Sequence, residues 1–174
     1  KKSIINFSKK ISSSNKIVCS ASHFLTSFPS DISSKHWLYK IYLYLKNHEN
    51  SIIVSSNAHG DFTPWNCFQS PNGLIVIDFE RFREIAPIYF DLAYFEISKR
   101  VFYKKTINCF SFIEELISFI SEFYDSYDVA KLHLTLIIYL ICIEKFLIYQ
   151  NSEFFIQQQW FEVNMLHIIE YLNV

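Results

Sequence analysis

The polar residues whose types and spacing suit catalysis lie close together near the middle of the chain. Asp61 and Asn66 are five residues apart in one loop. Asp78 directly follows the apolar run 74–77, where a carboxylate is costly unless it is paired or bound to a cation. The oxygen atoms of Asn66 and Asp78 suit Mg²⁺, because this ion takes few protein ligands and completes its shell with water and phosphate oxygens. Asp61 would then remain free to accept a proton from a substrate hydroxyl.

A β-hairpin is predicted to bring the two metal-binding groups together. The sequence Ser-Pro-Asn-Gly at 70–73 is typical of a tight turn, and residues 65–69 and 74–79 flank it. The run 74–77 is apolar throughout, which predicts a strand buried on both faces. In such a hairpin, the Asn66 end of the first strand lies beside the Asp78 end of the second.

The rest of the chain is predicted to be mostly helical. A β-branched run at 51–54 indicates one more short strand. We therefore expect a mainly α fold with a small β-hairpin, in a single domain that covers residues 1–174. The helices are predicted around residues 4–11, 37–45, 90–103, 113–124, 129–149 and 156–169, and the fifth of them is apolar almost all round, as a central buried helix would be.

Composition excludes several classes of protein. The chain has 174 residues, 51% of them hydrophobic, and a formal net charge of −1, which argues against a disordered chain and against a basic nucleic-acid surface. It has only two glycines, Gly60 and Gly73, so no glycine-rich phosphate loop of the usual kinds can be written. The first glycine lies between the candidate residues of the loop, and the second closes the hairpin turn.

The cysteines and the apolar segments point to a reducing compartment. No C-x-x-C pair exists, which argues against a zinc ribbon, and four cysteines are too few for a disulfide scaffold of this length. The longest apolar run, 132–143, is too short to span a bilayer, and no signal peptide is visible. We expect a cytoplasmic protein with free thiols and no membrane partner. The cysteines are Cys19, Cys67, Cys109 and Cys142.

Three motifs occur in order along this part of the chain. They are H-G-D-F-x-x-x-N at 59–66, I-D-F-E at 77–80 and P-x-x-x-D-L-A at 87–93. Together they resemble the aminoglycoside phosphotransferase and choline kinase-like family, which shares the protein-kinase-like α+β fold. The resemblance is sharp over 59–93 and only architectural elsewhere. It implies that the chain forms the C-terminal lobe of such a fold.

The resemblance also implies a role for each motif residue. Asp61 corresponds to the catalytic base, and Asn66 and Asp78 correspond to the ligands of Mg²⁺ that bridges the phosphates of ATP. His59 and Asp91 correspond to residues that brace the catalytic loop. Glu80 is a possible secondary residue of the metal site. The expected reaction is transfer of the γ-phosphoryl group from ATP to a hydroxyl group of a small molecule.

The family's N-terminal lobe, which covers the nucleotide, has no counterpart in the residues before the first motif. Those residues read as loop and helix, without a strand that carries a phosphate-binding lysine. Since the chain also begins with Lys1 and not with methionine, we expect it to be a piece of a longer protein that contains this lobe. The acceptor molecule is not predicted. Acidic residues that could line its pocket are Glu84, Asp125 and Asp128.

Two other functions are compatible with the sequence. A truncated or degenerate kinase-like domain could act as a binding module without catalysis. A metal-dependent hydrolase could use His59, Asp61 and Asp78, although such sites usually recruit several histidines and the other five are dispersed.

Overall fold

The computed structural model of the chain describes residues 2–13, 15–25, 28–29, 33, 36–102, 109–150 and 165–173, and in them it has a mixed α+β architecture. Short 3₁₀ helices lie at Ala21–His23 and Pro64–Asn66. The α-helices are α1 (Lys2–Ser13), α2 (Trp37–Asn47), α3 (Phe90–Phe102), α4 (Cys109–Ser121), α5 (Tyr127–Gln150) and α6 (165–172). The strands are β1 (Ile17–Ser20), β2 (Ile52–Ala58), β3 (Cys67–Ser70), β4 (Gly73–Val76) and β5 (Arg83–Pro87).

The chain folds into two compact units. The first consists of Lys1–Val18 and Val54–Lys105, and the second consists of Cys19–Ile53 and Thr106–Val174. All the candidate residues of the sequence analysis that belong to the three motifs lie in the first unit. The first unit is therefore the one that positions the site.

Two small sheets are present in the described residues. One has the strand order β1-β2-β5, and β2 and β5 are antiparallel, with Ser55 opposite Pro87. Their register shifts between Ser56 and Ala58, which is the mark of a β-bulge. The other sheet is the hairpin β3–β4. Because its turn is short, the hairpin sets the register of the residues on either side of it.

The hairpin was predicted correctly, but the burial of its second strand was not. Cys67 lies opposite Val76, and the turn brings Ser70 opposite Gly73. However, Ile75 is 50% exposed and Ile77 is 47% exposed, so the expectation of a strand buried on both faces is wrong. In the described part of the chain, neither face of β4 is completely covered. An unbroken apolar run alone does not tell whether another element packs on each face of the strand.

The core of the first unit forms around the helix α3 and the loop that follows β2. Phe62, Phe90 and Tyr94 are fully buried there. The helix α1 is amphipathic and turns Ile4 and Ser8 inward. This packing fixes the loop that carries the first motif, since Phe62 is part of that motif.

In the second unit, the central buried helix was predicted correctly over its described side chains. The residues of α5 from Leu132 to Tyr139 are all buried. Helices α2 and α4 contribute the other large groups of the core. These side chains are Leu38, Ile41 and Leu45 of α2 and Ile113, Ile117 and Ile120 of α4.

The predicted helices agree with α1 to α5 within a few residues at each end. The last predicted helix, 156–169, is described only from residue 165 onward. The strands β1 and β5 were not predicted, and β2 extends four residues beyond the predicted end at 54. Ser55 and Ser56 are not among the β-branched and aromatic residues that are enriched in strands, so this part of the strand depends on its pairing with β5.

Two further observations bear on the cysteines and on membranes. Cys19, Cys67 and Cys142 are free thiols, as predicted for these three. Within the helices that the structure describes, none combines the length and the apolar character that crossing a bilayer requires.

Candidate active site

The loop that carries the first motif is fixed by one buried carboxylate. Asp91, in the first turn of α3, accepts hydrogen bonds from the backbone N–H groups of His59 at 2.7 Å and Gly60 at 3.0 Å, one on each oxygen. The residue is 4% exposed. Burial raises the pKa of Asp91, and the two amide hydrogen bonds act in the opposite direction. We refer to His59, Gly60 and Asp91 as the loop brace.

The imidazole of His59 connects the loop to the second motif. Its Nδ1 accepts a hydrogen bond from the backbone N–H of Asp61 at 3.3 Å, and its Nε2 lies 2.9 Å from the carbonyl oxygen of Ile77. Because a carbonyl only accepts, the network assigns the proton to Nε2 and makes the ring neutral. The side chain is buried. Its ring therefore holds both Asp61, the candidate base, and Ile77, the residue before Asp78.

Asn66 holds the side chain of Asp61. Its Nδ2 donates to the backbone oxygen of Asp61 at 3.0 Å and to Oδ2 of the same residue at 3.1 Å. The short helix Pro64–Asn66 brings the two residues together, because the N–H of Asn66 donates to the carbonyl of Thr63 and the N–H of Thr63 donates to the carbonyl of Asp61. Within the residues that the structure describes, the amide oxygen of Asn66 and the second carboxylate oxygen of Asp61 make no hydrogen bond.

The hairpin brings Asn66 beside the residue that precedes Asp78. The N–H of Ile77 donates to the carbonyl of Asn66 at 3.1 Å, one step beyond the pair that Cys67 makes with Val76. The juxtaposition expected from the turn is therefore present at the level of the backbone.

Asp78 itself is exposed and has a left-handed backbone with φ +63°. Aspartate tolerates this region better than most residues do, yet the conformation is uncommon and is concentrated at functional sites. Among the described residues, no group hydrogen-bonds its carboxylate. Glu80 is also exposed, in the turn closed by the bond from the N–H of Phe82 to the carbonyl of Phe79.

Gly60 lets the second motif approach the loop closely. Its φ is +84°, and a Cβ at this position would overlap the carbonyl oxygen of Arg81. Only glycine combines this backbone conformation with this contact. Residues 78–82 are therefore held against the loop at Gly60 as well as at His59.

Phe62 anchors the loop to two helices of the first unit. Its ring stacks on Phe7 of α1, with centroids 5.3 Å apart and planes at 7°, and lies 5.6 Å from the ring of Phe95 of α3. These contacts were not predicted. The signal available was an apolar residue in the middle of a polar motif, which indicates a buried anchor but does not identify its partners.

The described site offers few side chains that could bind a metal. Among the residues that the structure describes, no group of three or more His, Cys, Asp and Glu side chains could hold a metal ion. Both ring nitrogens of His59 are engaged, so the hydrolase site with His59, Asp61 and Asp78 as ligands is not formed. One amide oxygen of Asn66 and the carboxylate of Asp78 remain, which is a donor set that Mg²⁺ accepts.

The acidic residues suggested for an acceptor pocket are not gathered at one place in the described structure of either unit. Glu84 lies on β5 in the first unit, and Asp125 and Asp128 lie near the start of α5 in the second. All of them are exposed. Their role at an acceptor pocket stays a prediction.

We compared the chain with models of known protein families, with curated proteins and with solved structures, and none of them matches it. The geometry of the site therefore carries the functional argument.

Proposed function

We propose that the chain is the catalytic lobe of an ATP-dependent phosphotransferase that acts on a hydroxyl group of a small molecule. The observation that carries the proposal is the arrangement of one short loop. In it, Asp61 is held by Asn66, and the same Asn66 pairs with the residue before Asp78. The segment with the candidate base and the amide donor is thus joined by a backbone hydrogen bond to the segment that carries Asp78.

Asp61 is the proposed base. Its Oδ2 accepts from Asn66, which fixes the carboxylate while Oδ1 remains available. The side chain is partly exposed, so a substrate hydroxyl can reach it. In this position it would orient the hydroxyl and accept its proton as the oxygen attacks the γ-phosphorus.

Asn66 and Asp78 are the proposed holders of Mg²⁺, through the amide oxygen and the carboxylate. When bound, the ion neutralises charge on the phosphates of ATP and orients the γ-phosphoryl group. The left-handed backbone at Asp78 and the contact of Arg81 with Gly60 set the direction of this segment. Glu80 is a secondary acid near the same segment.

His59 and Asp91 act through other residues in this proposal. They position the loop, since their polar atoms are already engaged with the backbone of residues 59–61 and 77. The catalytic gain then comes mostly from positioning and from charge neutralisation, as in other phosphoryl transfers.

A second candidate function is a binding module without catalysis. Six large apolar side chains around the hairpin are each about half exposed, and a cluster of such residues is typical of a surface that a partner or ligand covers. In the first proposal, this surface faces the nucleotide. The residues are Trp65, Phe68, Ile75, Ile77, Phe79 and Phe82.

The test uses the full-length gene product, radiolabelled ATP with Mg²⁺, and a panel of aminoglycosides, choline, amino alcohols and sugars. We expect label to pass to at least one acceptor. Asp61→Asn should lower this rate by about 10²-fold or more, and Asp78→Ala should lower it by a larger factor. The control is Glu49→Gln, at an exposed ion pair with Lys46 in the second unit, which should leave the rate unchanged.

Full activity in Asp61→Asn and Asp78→Ala would contradict the assignment of these residues. Binding of ATP or of an acceptor without transfer in any assay would favour the binding module. Hydrolysis that requires metal but no nucleotide would contradict both functions.

A further inference from the structure

A small cavity lies in the first unit between α1, β2 and the start of α3. Its volume is about 10 Å³, which is close to the space that one water molecule needs. Ser8 of α1 and Asp91 of α3 both line it, together with Asn57 of β2. The cavity thus brings Ser8 of the N-terminal helix and Asp91 of the loop brace around one space.

Ser8 has an unexplained polar group at this place. Its side chain is 2% exposed, and its Oγ makes no hydrogen bond in the described structure. A buried hydroxyl without a partner is unfavourable, since it has lost its hydrogen bonds to water. A hydroxyl in this position needs an acceptor or a donor that the neighbouring side chains do not provide.

Asp91 has spare capacity for a hydrogen bond. A carboxylate can accept about four hydrogen bonds, and the two that Asp91 accepts come from the amides of His59 and Gly60. Burial raises its pKa despite these two bonds. One more donor would compensate the charge further.

The neighbouring strand explains why a space exists here. The register between β2 and β5 shifts between Ser56 and Ala58, and Asn57 at this irregularity lines the cavity. A bulge interrupts the close packing of a ladder and leaves room beside it. The cavity is therefore a consequence of how the sheet ends next to the loop brace.

We propose that this cavity is a binding site for one water molecule, which accepts a hydrogen bond from the hydroxyl of Ser8 and donates one to the carboxylate of Asp91. Ser8 is then a positioning residue for the loop brace, acting through the water and Asp91. The inference rests on the loop brace and the cavity alone and does not depend on the proposed phosphoryl transfer.

Ser8→Ala tests the site, and Ser98→Ala is its matched control. Ser98 lies on α3 in the same unit, is 4% exposed and also has an Oγ without a partner, but it does not line this cavity. Both changes replace a helical serine with alanine, so they share any gain in helix propensity. Ser98→Ala therefore controls for the loss of a buried helical hydroxyl that does not line the cavity.

We expect a high-resolution crystal structure of the full-length protein to show water density between Ser8 and Asp91, in the wild type and in Ser98→Ala. In Ser8→Ala, amide hydrogen exchange at His59 and Gly60 should be about fivefold faster, since one hydrogen bond of typical strength is lost. Ser98→Ala should leave this exchange unchanged or slow it slightly.

Two results would overturn the proposal. One is a well-defined wild-type cavity without water density, which decides the matter even if Ser8→Ala does not fold. The other is an exchange rate in Ser8→Ala that matches Ser98→Ala, because that is the behaviour of a hydroxyl with no bound water.

Discussion

Within the first unit, the loop brace and the hairpin region (residues 65–82) differ in how their side chains are used. In the loop brace, the carboxylate of Asp91 and the ring of His59 are buried and bonded. In the hairpin region, Phe68 and Ile75 form a cross-strand pair in which each side chain is 50% exposed. The carboxylate of Asp78 is exposed as well. The first region fixes the backbone of the loop, and the second leaves its side chains exposed in the described structure.

The proposed catalytic residues lie at the border between these two regions. Asp61 follows the brace directly, and Asn66 is 5% exposed at the start of the hairpin. A base and a metal donor at such a border combine a fixed backbone with access for a substrate. If this division is correct, matched substitutions in the two regions should differ in their effect on the free energy of unfolding.

Two phenylalanines give the largest expected contrast. Phe62→Ala should lower the free energy of unfolding by about 3–5 kcal/mol, because it removes a fully buried ring from the core. Phe68→Ala should lower it by about 1 kcal/mol, because the ring is already half exposed. Denaturant unfolding of the full-length protein measures both, and equal losses would mean that the hairpin region is covered in solution.

The two glycines give the next contrast. Both have positive φ, but only Gly60 has a backbone atom in the place of a Cβ, whereas the surroundings of Gly73 are open. Gly60→Ala should cost about 3 kcal/mol, from strain and from displacement of residue 81. Gly73→Ala should cost about 1 kcal/mol from backbone strain alone. Similar values for the two variants would show that the contact with Arg81 is not maintained.

Replacement of Asp91 should likewise lower the free energy of unfolding more than replacement of Asp78 does. Asp91→Ala leaves the amides of His59 and Gly60 without acceptors, which should cost about 2–3 kcal/mol and accelerate amide exchange at both residues. Asp78→Ala should change the free energy of unfolding by no more than about 0.5 kcal/mol, since its carboxylate is exposed. A large loss in Asp78→Ala would place this residue among the structural groups instead.

The smallest expected contrast between two variants concerns the metal. At about ten times the dissociation constant, Mg²⁺ with ATP should raise the free energy of unfolding of the wild type by about 1.4 kcal/mol. Asp78→Ala should lose this increase, because the proposed carboxylate donor is absent. The melting temperature with and without Mg²⁺ and ATP reports this increase in stability, and Glu49→Gln is the control variant. An equal increase in Asp78→Ala would show that Mg²⁺ and ATP bind without this carboxylate.

The sequence allowed prediction of the elements that depend on local signals. The hairpin follows from a tight-turn sequence, and α5 follows from its apolar run. The strands β1 and β5 depend on pairing with a strand far away in the chain, for which Arg83–Pro87 has no local pattern. Ile75 is exposed because no element of the described residues covers it. A run of apolar residues does not reveal whether such a covering element exists.

For the candidate site, the sequence identified residue types and spacing but not the atoms that join them. Asp91 accepts from main-chain N–H groups, which every residue except proline has, so the sequence does not select His59 and Gly60 as its partners. The stacking of Phe7 on Phe62 and the cavity at Ser8 likewise depend on how α1 packs. The motifs therefore indicate where the site is, and packing decides how it is held.

The two hydrogen bonds of Asp91 also have a consequence for the folding of the chain. The bond to His59 joins residues 32 apart in sequence, and the hairpin and β5 both lie between them. Such a contact closes a long loop, whose entropy must be overcome before the bonds form. We expect the loop to reach its final shape only after the intervening strands have paired, so protection of the His59 and Gly60 amides would mark the end of folding in this unit.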